Sequence, residues 1–343
     1  MTDLVETLCW LVDIPSVTGD ESGLRDAIAK RLQSMPSQSV ADSLVVGQPR
    51  EKAILLVGHL DTVPLQGHVG ATVEDGRVHG LGATDMKSGL AVMIHLVESL
   101  GPDRIACVFY AGEEGPLSGN QLGMVLEAAP WLRTAEAAIV MEPTDKGLEA
   151  GCQGVVNAEV TFEGEAAHSA RPWLGDNAIT KAGEFLIRMR ALEPELHVVG
   201  GLEFREVMSV TTAHGGVAKN IIPAAFSLNV NYRFSPDRSM EEAITRIHEV
   251  CSAGDQVVVV DSAPAGAVNI DHPLFQALVE VSAAPISGKQ GWTDVAQLSE
   301  AGIPAVNFGP GEPALAHKPG ESVRVEDLSW AYDSLSAVLG REI

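Results

Sequence analysis

Residues 53–61 read AILLVGHLD, and this short segment joins a strand signal to two polar side chains. The run Ala53–Val57 is apolar, which is typical of a buried strand. His59 and Asp61 follow it directly, so we expect them at the carboxyl end of a strand, where open α/β sheets bind ligands. An imidazole with an acid two residues later is a recurrent metal ligand and orienting partner. A lone His-x-Asp triplet is nevertheless more typical of a surface loop.

Strand and helix signals alternate on both sides of this segment. Apolar runs at 105–110 and 137–141 predict two more buried strands, and the apolar spacing within 85–100 predicts a helix between the first two strands. The same pattern returns near the end of the chain, with a strand at 303–308 and a helix near 325–339. We therefore predict an α/β fold, a mixed sheet with helices on both faces.

A different pattern interrupts this domain. Its strand and helix signals follow the order β-α-β-β-α-β, which is the split βαβ unit of a ferredoxin-like module. The strands are predicted at 156–162, 206–212, 224–234 and 256–260, with a helix at 177–191 and another at 240–251. The predicted domains are an α/β domain of residues 1–150 and 263–343 and an inserted α+β domain of residues 151–262.

Charge and cysteine content exclude several classes of function. The 343 residues carry 23 Lys and Arg against 46 Asp and Glu, for a net charge of −23. Nucleic acids and anionic membranes attract basic surfaces, so we expect neither as a partner. The four cysteines show no C-x-x-C spacing, which disfavours a disulfide framework or a cysteine zinc site. The amino-terminal residues lack the basic region of a signal peptide and no long apolar run exists, so we expect a cytoplasmic protein.

Further acids and a second histidine follow the predicted strands. Asp85 precedes a predicted helix and could be its N-cap, whereas the adjacent acids Glu113 and Glu114 could be a solvated turn. Two neighbouring carboxylates repel each other, which a metal ligand beside a general base would explain. With Glu142 and His317, the set offers imidazoles and carboxylates that suit zinc, with manganese or cobalt as alternatives. Two ions fit this set if one carboxylate bridges them.

The sequence resembles the M20 metallopeptidase-like amidohydrolases over nearly its whole length. The resemblance implies a zinc-exopeptidase-like α/β domain and an inserted dimerisation domain. Its motifs in this chain are His59-Leu60-Asp61, Gly82-Ala83-Thr84-Asp85-Met86-Lys87, Glu113-Glu114, Glu142-Pro143-Thr144, Gly151-Cys152-Gln153-Gly154, Ala167-His168-Ser169-Ala170-Arg171, Asn220-Ile221-Ile222-Pro223, Gly291-Trp292-Thr293-Asp294 and Ala316-His317-Lys318.

The resemblance assigns the metal ligands in two pairs around a shared carboxylate. It implies that Asp85 bridges two zinc ions. His59 and Glu142 would complete the shell of one ion, and Glu114 and His317 that of the other. A metal-free binding protein on the same scaffold would be expected to lack at least one of these ligands, and none is missing. A structural zinc site would favour a closed set of Cys and His ligands.

The resemblance also assigns catalytic roles. Glu113 would be the general base and acid, and Asp61 would orient His59. His168 of the inserted domain would reach the site of the partner subunit in a homodimer and donate to the developing oxyanion. Without the resemblance, His168 would be read as a histidine in a surface loop.

Substrate recognition is implied at positions that carry polar or small residues. Members of the family often have Arg where this chain has Gln153, so Arg171 is a candidate to take over carboxylate binding. Arg233 could also be a polar residue on the outer face of its strand. The expected substrate is a small anionic N-acyl amino acid, namely N-succinyl-LL-2,6-diaminopimelate, with N-acetylornithine and other N-acyl amino acids or peptides as alternatives. Substrate contacts are implied for Asn220, Arg233, Gly291 and Thr293.

Overall fold

The computed structural model describes residues 2–64, 67 and 70–340, and it divides the chain into two compact units. The first unit is discontinuous, and the second is formed largely by the segment that interrupts it. The first comprises Met1–Gly151, Gly266–Lys289 and Thr293–Ile343, and the second Cys152–Ala265 and Gln290–Trp292. Met1 and residues 65–66, 68–69 and 341–343 lie outside the described residues.

In the amino-terminal part of the first unit, strands β2, β3, β6 and β7 are buried along their length. Strand β3 is buried at all six positions, as a continuous apolar run in the middle of a sheet requires. The elements of this part are α1 (Thr2–Val12), α2 (Ser22–Arg31), β1 (Ser37–Val40), β2 (Ser43–Val46), β3 (Ile54–His59), β4 (Thr72–Glu74), β5 (Arg77–His79), α3 (Lys87–Leu100), β6 (Ile105–Tyr110), α4 (Leu122–Ala128), β7 (Ala137–Val140) and β8 (Leu148–Ala150).

The second unit is a sheet with helices on one face. Its core includes Val156, Phe185 and Ile247, which come from a strand and two helices. The capping box of Ser239 and Glu242 fixes the start of α7. The elements are β9 (Gly154–Glu163), β10 (Ala167–His168), α5 (Ala178–Lys181), α6 (Gly183–Arg190), β11 (Glu195–Val199), β12 (Leu202–Gly215), β13 (Ile221–Ile222), β14 (Ala225–Phe234), α7 (Met240–Cys251) and β15 (Gln256–Ala263).

The carboxyl-terminal part of the chain completes the first unit. Strand β17 pairs in parallel with β7 and so extends the central sheet. Helix α10 packs on α3 and α8. The elements of this part are α8 (Pro273–Ser282), β16 (Ile286–Gly288), α9 (Val295–Glu300), β17 (Ala305–Asn307), β18 (Ser322–Arg324) and α10 (Val325–Leu339).

The large sheet is mixed, as the sequence predicts. Its strand order within the described residues is β1-β2-β6-β3-β7-β17-β8-β16. Strand β3 is parallel to both β6 and β7, whereas β2 and β6 are antiparallel. The carboxyl ends of β6, β3 and β7 therefore lie side by side. Among the described residues, none of the helices has the length and apolarity that crossing a membrane demands.

The inserted unit is more elaborate than the predicted β-α-β-β-α-β order. Strand order is β11-β12-β14-β9-β15, and β11 forms an additional edge strand that was not predicted. The helix predicted at 177–191 is two shorter helices, α5 and α6, which are separated at Ala182. Residues 290–292 also belong to this unit, although the predicted boundaries place them in the α/β domain.

Candidate active site

The ends of three parallel strands bring most of the predicted metal ligands together. Strand β3 ends at His59 and lies between β6, which leads into the turn Glu113–Glu114, and β7, which is followed by Glu142. Asp85 lies two residues before α3, and His317 lies between β17 and β18. All five side chains belong to the first unit, and they form one cluster.

Asp85 stands between the two imidazoles. Its Oδ1 lies 3.2 Å from Nε2 of His59, and its Oδ2 lies 3.4 Å from Nε2 of His317. Each carboxylate oxygen therefore faces a different imidazole. This is the arrangement that a carboxylate shared between two cations requires.

Each imidazole has a second carboxylate beside it. Nε2 of His59 lies 3.6 Å from Oε1 of Glu142, and Nε2 of His317 lies 2.8 Å from Oε1 of Glu114. The structure thus groups the five side chains as two pairs that share Asp85. The ligand atoms of His59, Asp85 and Glu114 all lie within 4.8 Å of one another.

The three carboxylates of this cluster favour the protonated, positively charged forms of its two imidazoles. Burial would lower the pKa of His59, but its hydrogen bond to Asp85 and the charge of Glu142 raise that pKa well above the usual imidazole range. Hydrogen bonds to Asp85 and Glu114 raise the pKa of His317 to about 10. Burial, followed by the charge of Asp85, raises the pKa of Glu142 to about 8. A bound divalent cation would supply the positive charge that these groups favour.

The chemistry of the donor atoms fits zinc, cobalt or manganese. Imidazole nitrogen and carboxylate oxygen are ligands that all three ions accept, and none of them requires a thiolate. His59 is 1% exposed, so its ring is held by packing as well as by hydrogen bonds. The cluster is therefore a preformed site for divalent ions, in which His59 and Glu142 are buried, Asp85 and Glu114 are partly buried and His317 is exposed.

Asp61 organises the turn that carries the paired glutamates. Its carboxylate accepts hydrogen bonds from the backbone N–H groups of Gly112, Glu113 and Glu114, at 3.0, 3.1 and 2.9 Å. Nδ1 of His59 lies 3.0 Å from the backbone carbonyl of Asp61 and 3.6 Å from its carboxylate. The nearer acceptor for His59 is therefore the main chain, while the buried carboxylate fixes the glutamate turn.

The surroundings of Glu113 change its acidity. Burial raises the pKa of its carboxyl well above the ordinary range, and the charges of Glu142, Asp294 and Glu114 raise it further. The charge of His59 opposes this shift. Glu113 is partly buried, and a carboxyl with a raised pKa beside a cationic centre has the character of a general base and acid.

Two buried charged residues that the sequence does not indicate as functional hold the segment around Asp85. Glu321 is 1% exposed, and its Oε1 accepts hydrogen bonds from the backbone N–H groups of Thr84 and Asp85, at 2.9 and 3.0 Å. Lys87 is 2% exposed and donates from Nζ to the carbonyls of Leu11 and Ile14. Both fix the loop that presents Asp85. In the sequence, these roles are indicated only by position, since Glu321 follows His317 by four residues and Lys87 follows Asp85 by two.

His168 is exposed on β10, which pairs with β13 in the second unit. Its Nδ1 accepts a hydrogen bond from the backbone N–H of Ala170 at 3.0 Å. Because Nδ1 is an acceptor, the neutral ring carries its proton on Nε2. His168 can therefore act as a hydrogen-bond donor through the other side of the ring.

The predicted substrate residues are divided between the two units. Arg233 and Gly291 line one cavity of the second unit. Asn220 and Arg171 are exposed residues of the same unit and do not line that cavity. Thr293 is 3% exposed in the first unit.

Comparisons with known proteins agree on one family. Residues 55–341 match the model of peptidase family M20/M25/M40. A Mycobacterium tuberculosis protein named as a succinyl-diaminopimelate desuccinylase is 40% identical, over 98% of this chain and 98% of that protein. The succinyl-diaminopimelate desuccinylase of Corynebacterium glutamicum is 36% identical, over 93% of this chain and 91% of that protein. A tripeptidase from Staphylococcus aureus shares the fold, with a TM-score of 0.80 at 20% identity over 99% of both chains.

Proposed function

The chain belongs to peptidase family M20/M25/M40, and we propose that it hydrolyses N-succinyl-LL-2,6-diaminopimelate to succinate and LL-2,6-diaminopimelate. It is a metal-dependent amidohydrolase, and relatives that carry the desuccinylase name match it over most of its length. The observation that supports the reaction most strongly is Asp85, whose two oxygens each face a different imidazole. Such a reaction belongs to lysine and diaminopimelate biosynthesis, and we propose a cytoplasmic location for it.

We propose two zinc ions as the cofactors, with cobalt or manganese as alternatives. His59 and Glu142 would hold one ion and Glu114 and His317 the other, with Asp85 shared between them. Bound ions of this kind polarise a carbonyl and lower the pKa of water, which makes amide hydrolysis possible near neutral pH.

Glu113 would move the proton in the reaction. Its carboxylate would accept a proton from the attacking water and return it to the nitrogen of the leaving amine. Asp61 would hold Glu113 in place, because its carboxylate binds the backbone N–H of this residue. The pKa of Glu113, raised by burial, makes its carboxylate a stronger base than an exposed one.

We further propose a homodimer that is formed through the inserted domain. Residues 207–215 of β12 pair with β14 on one side, whereas β11 covers only residues 202–206 on the other side. An uncovered strand edge can pair with its copy across a two-fold axis. Large apolar side chains are also exposed in this unit, among them Trp173 at 75% and Val217 at 86%. In such a dimer, His168 would donate from Nε2 to the oxyanion in the site of the partner subunit.

The metal content gives a first test. We expect active protein to bind about two divalent ions per chain, because five ligands exceed the needs of one tetrahedral zinc. Elemental analysis after stepwise reloading of chelator-treated protein measures this number together with activity. Saturation at one ion per chain, with no gain in activity beyond it, would contradict the dinuclear site.

The distal carboxylate of the acyl group gives a second test. We expect Arg233→Met to lower kcat/KM by roughly tenfold or more for the succinyl substrate, because a charge-assisted clamp contributes a few kcal/mol. The N-acetyl analogue lacks that carboxylate and should lose much less. Arg171→Met gives the comparison, since Arg171 is exposed and lies outside the cavity that Arg233 lines. Equal losses on both substrates would mean that Arg233 does not read the distal carboxylate.

A further inference from the structure

A cavity of about 540 Å³ opens on one face of the five-stranded sheet in the second unit. The helices of this unit pack on the opposite face, where they cover the apolar core. Two arginines line the cavity, and one of them has no assigned role. The lining includes Gln153, Arg205, Arg233, Gln290, Gly291 and Trp292.

The register of the strands places the two arginines on the same face. Val207 on β12 lies opposite Arg233 on β14. Arg205 precedes Val207 by two residues, so its side chain points to the same side of the sheet. Val155 on β9 also lies opposite Arg233, and Gln153 precedes it by two residues. The sheet therefore brings Gln153 and both arginines to one end of its open face.

Two amide side chains hold the backbone of Arg205. Nε2 of Gln153 donates to the carbonyl of Arg205 at 2.6 Å. Oε1 of Gln290 accepts from the N–H of Arg205 at 3.0 Å, and its Nε2 donates to the carbonyl of Glu203 at 2.7 Å. The backbone N–H of Gln153 in turn donates to the carbonyl of Gly291. The N–H and the carbonyl of Arg205 are thus both held, which fixes the Cα atom from which its side chain projects.

The charge at the cavity is opposite to that of the chain. Its lining residues include two guanidinium groups and no carboxylate, whereas the whole chain carries a net charge of −23. Among the residues that the structure describes, Arg205 forms an ion pair with Glu203 at 3.8 Å. Both side chains are more than 60% exposed, so this pair is weak. Burial lowers the pKa of Arg233, which means that its charge has lost part of its hydration. A carboxylate that binds Arg233 would replace the hydrogen bonds to water that its guanidinium loses through burial.

We propose that Arg205 and Arg233 together form a carboxylate-binding site, in which Arg205 reads the distal carboxylate of the succinyl group. Two guanidinium groups on one face can bind the two oxygens of a carboxylate from different sides. Gln153 positions Arg205 through the main chain of Arg205, so in this proposal the cation comes from β12 rather than from position 153 or 171. The identity of the ligand rests on the proposed function, whereas the binding of a carboxylate does not.

The test measures binding of succinate to the full-length, metal-loaded protein by calorimetry, with acetate and 2,6-diaminopimelate as comparison ligands. We expect Arg205→Met to weaken succinate binding at least tenfold, while Arg205→Lys retains part of the affinity. Acetate and diaminopimelate should lose much less, because the single carboxylate of acetate can bind the metal ions instead and diaminopimelate has no succinyl carboxylate. Arg188→Met is the matched control, because Arg188 is an exposed arginine on α6, which packs on the other face of the sheet. Circular dichroism verifies the fold of each variant.

The outcomes separate this inference from the proposed function. If succinyl-diaminopimelate is hydrolysed and Arg205→Met changes neither its kcat/KM nor succinate binding, the site is wrong and the function stands. If that substrate is not hydrolysed but succinate binding still depends on Arg205, the function is wrong and the site stands. A loss confined to diaminopimelate would overturn the assignment of Arg205 to the acyl side.

Discussion

Replacing Glu113 by alanine is expected to lower kcat by a factor of roughly 10²–10⁴, which is the range that general acid–base catalysis contributes. Metal content should stay close to that of the unaltered protein, because Glu113 is assigned to proton transfer and not to metal binding. Its neighbour Glu114 lies 2.8 Å from Nε2 of His317 and is assigned as a ligand. Glu114→Ala should therefore lose a metal ion as well as activity.

The two variants control for each other. They are adjacent in sequence, both remove a carboxylate, and the backbone N–H of each residue is held by Asp61. The measurement is steady-state turnover together with metal content on the same samples. If Glu113→Ala loses metal and Glu114→Ala keeps it, the roles of the pair are reversed.

Mixing two inactive variants is expected to restore activity if the site is shared between subunits. Glu113→Ala and His168→Ala should each be nearly inactive alone. After random exchange of subunits, about half of the dimers are hybrids by two-fold symmetry. In each hybrid one site carries both lesions and the other carries neither. Roughly a quarter of all sites should then regain activity.

Exchange itself must be shown independently, for example with subunits that carry different tags. A mixture kept under conditions that prevent exchange gives the baseline. If exchange is complete and no activity returns, His168 does not act in the site of the partner subunit. The exposed position of His168 and the donor at its Nε2 then require another explanation.

The sequence predicts those strands and helices that show a clear pattern of apolar residues. The apolar run at 105–110 matches β6 in full, because a central strand is buried on both faces and needs no alternation. The final helix, predicted near 325–339, coincides with α10, whose apolar residues face the core at helical spacing. Strand β11 was missed because its residues alternate between exposed and partly buried positions at a sheet edge, without a clear apolar face.

Contacts between distant segments explain what the sequence could not show in the site. Asp61 was predicted to orient His59, yet its carboxylate binds three backbone N–H groups that lie about fifty residues further along the chain. Glu321 binds the backbone of Asp85 across an even longer separation. Side chains that bind backbone groups far away in the chain leave no spacing pattern, so only the fold shows them.

Position 153, where members of the family often have arginine, is a second example of a contact that the sequence does not indicate. Gln153 is visible in the sequence as a departure from the family, and Arg171, three residues past His168, is the sequence-based candidate to replace the missing arginine. In the fold, Arg171 does not line the cavity, whereas Arg205 on β12 does, and β14 separates β12 from β9, the strand that follows Gln153. The contact between Gln153 and the backbone of Arg205 joins positions about fifty residues apart, and no motif in the sequence indicates it.

The most direct test of the proposed function is a kinetic comparison of N-succinyl-LL-2,6-diaminopimelate with N-acetylornithine on purified, zinc-loaded protein. We expect efficient, metal-dependent release of succinate, with kcat/KM at least about tenfold higher for the succinyl substrate, because only that substrate offers a distal acyl carboxylate to an arginine. Preferential hydrolysis of N-acetylornithine would contradict the proposed substrate while leaving the amidohydrolase chemistry intact. Full activity after complete removal of metal would contradict the central claim.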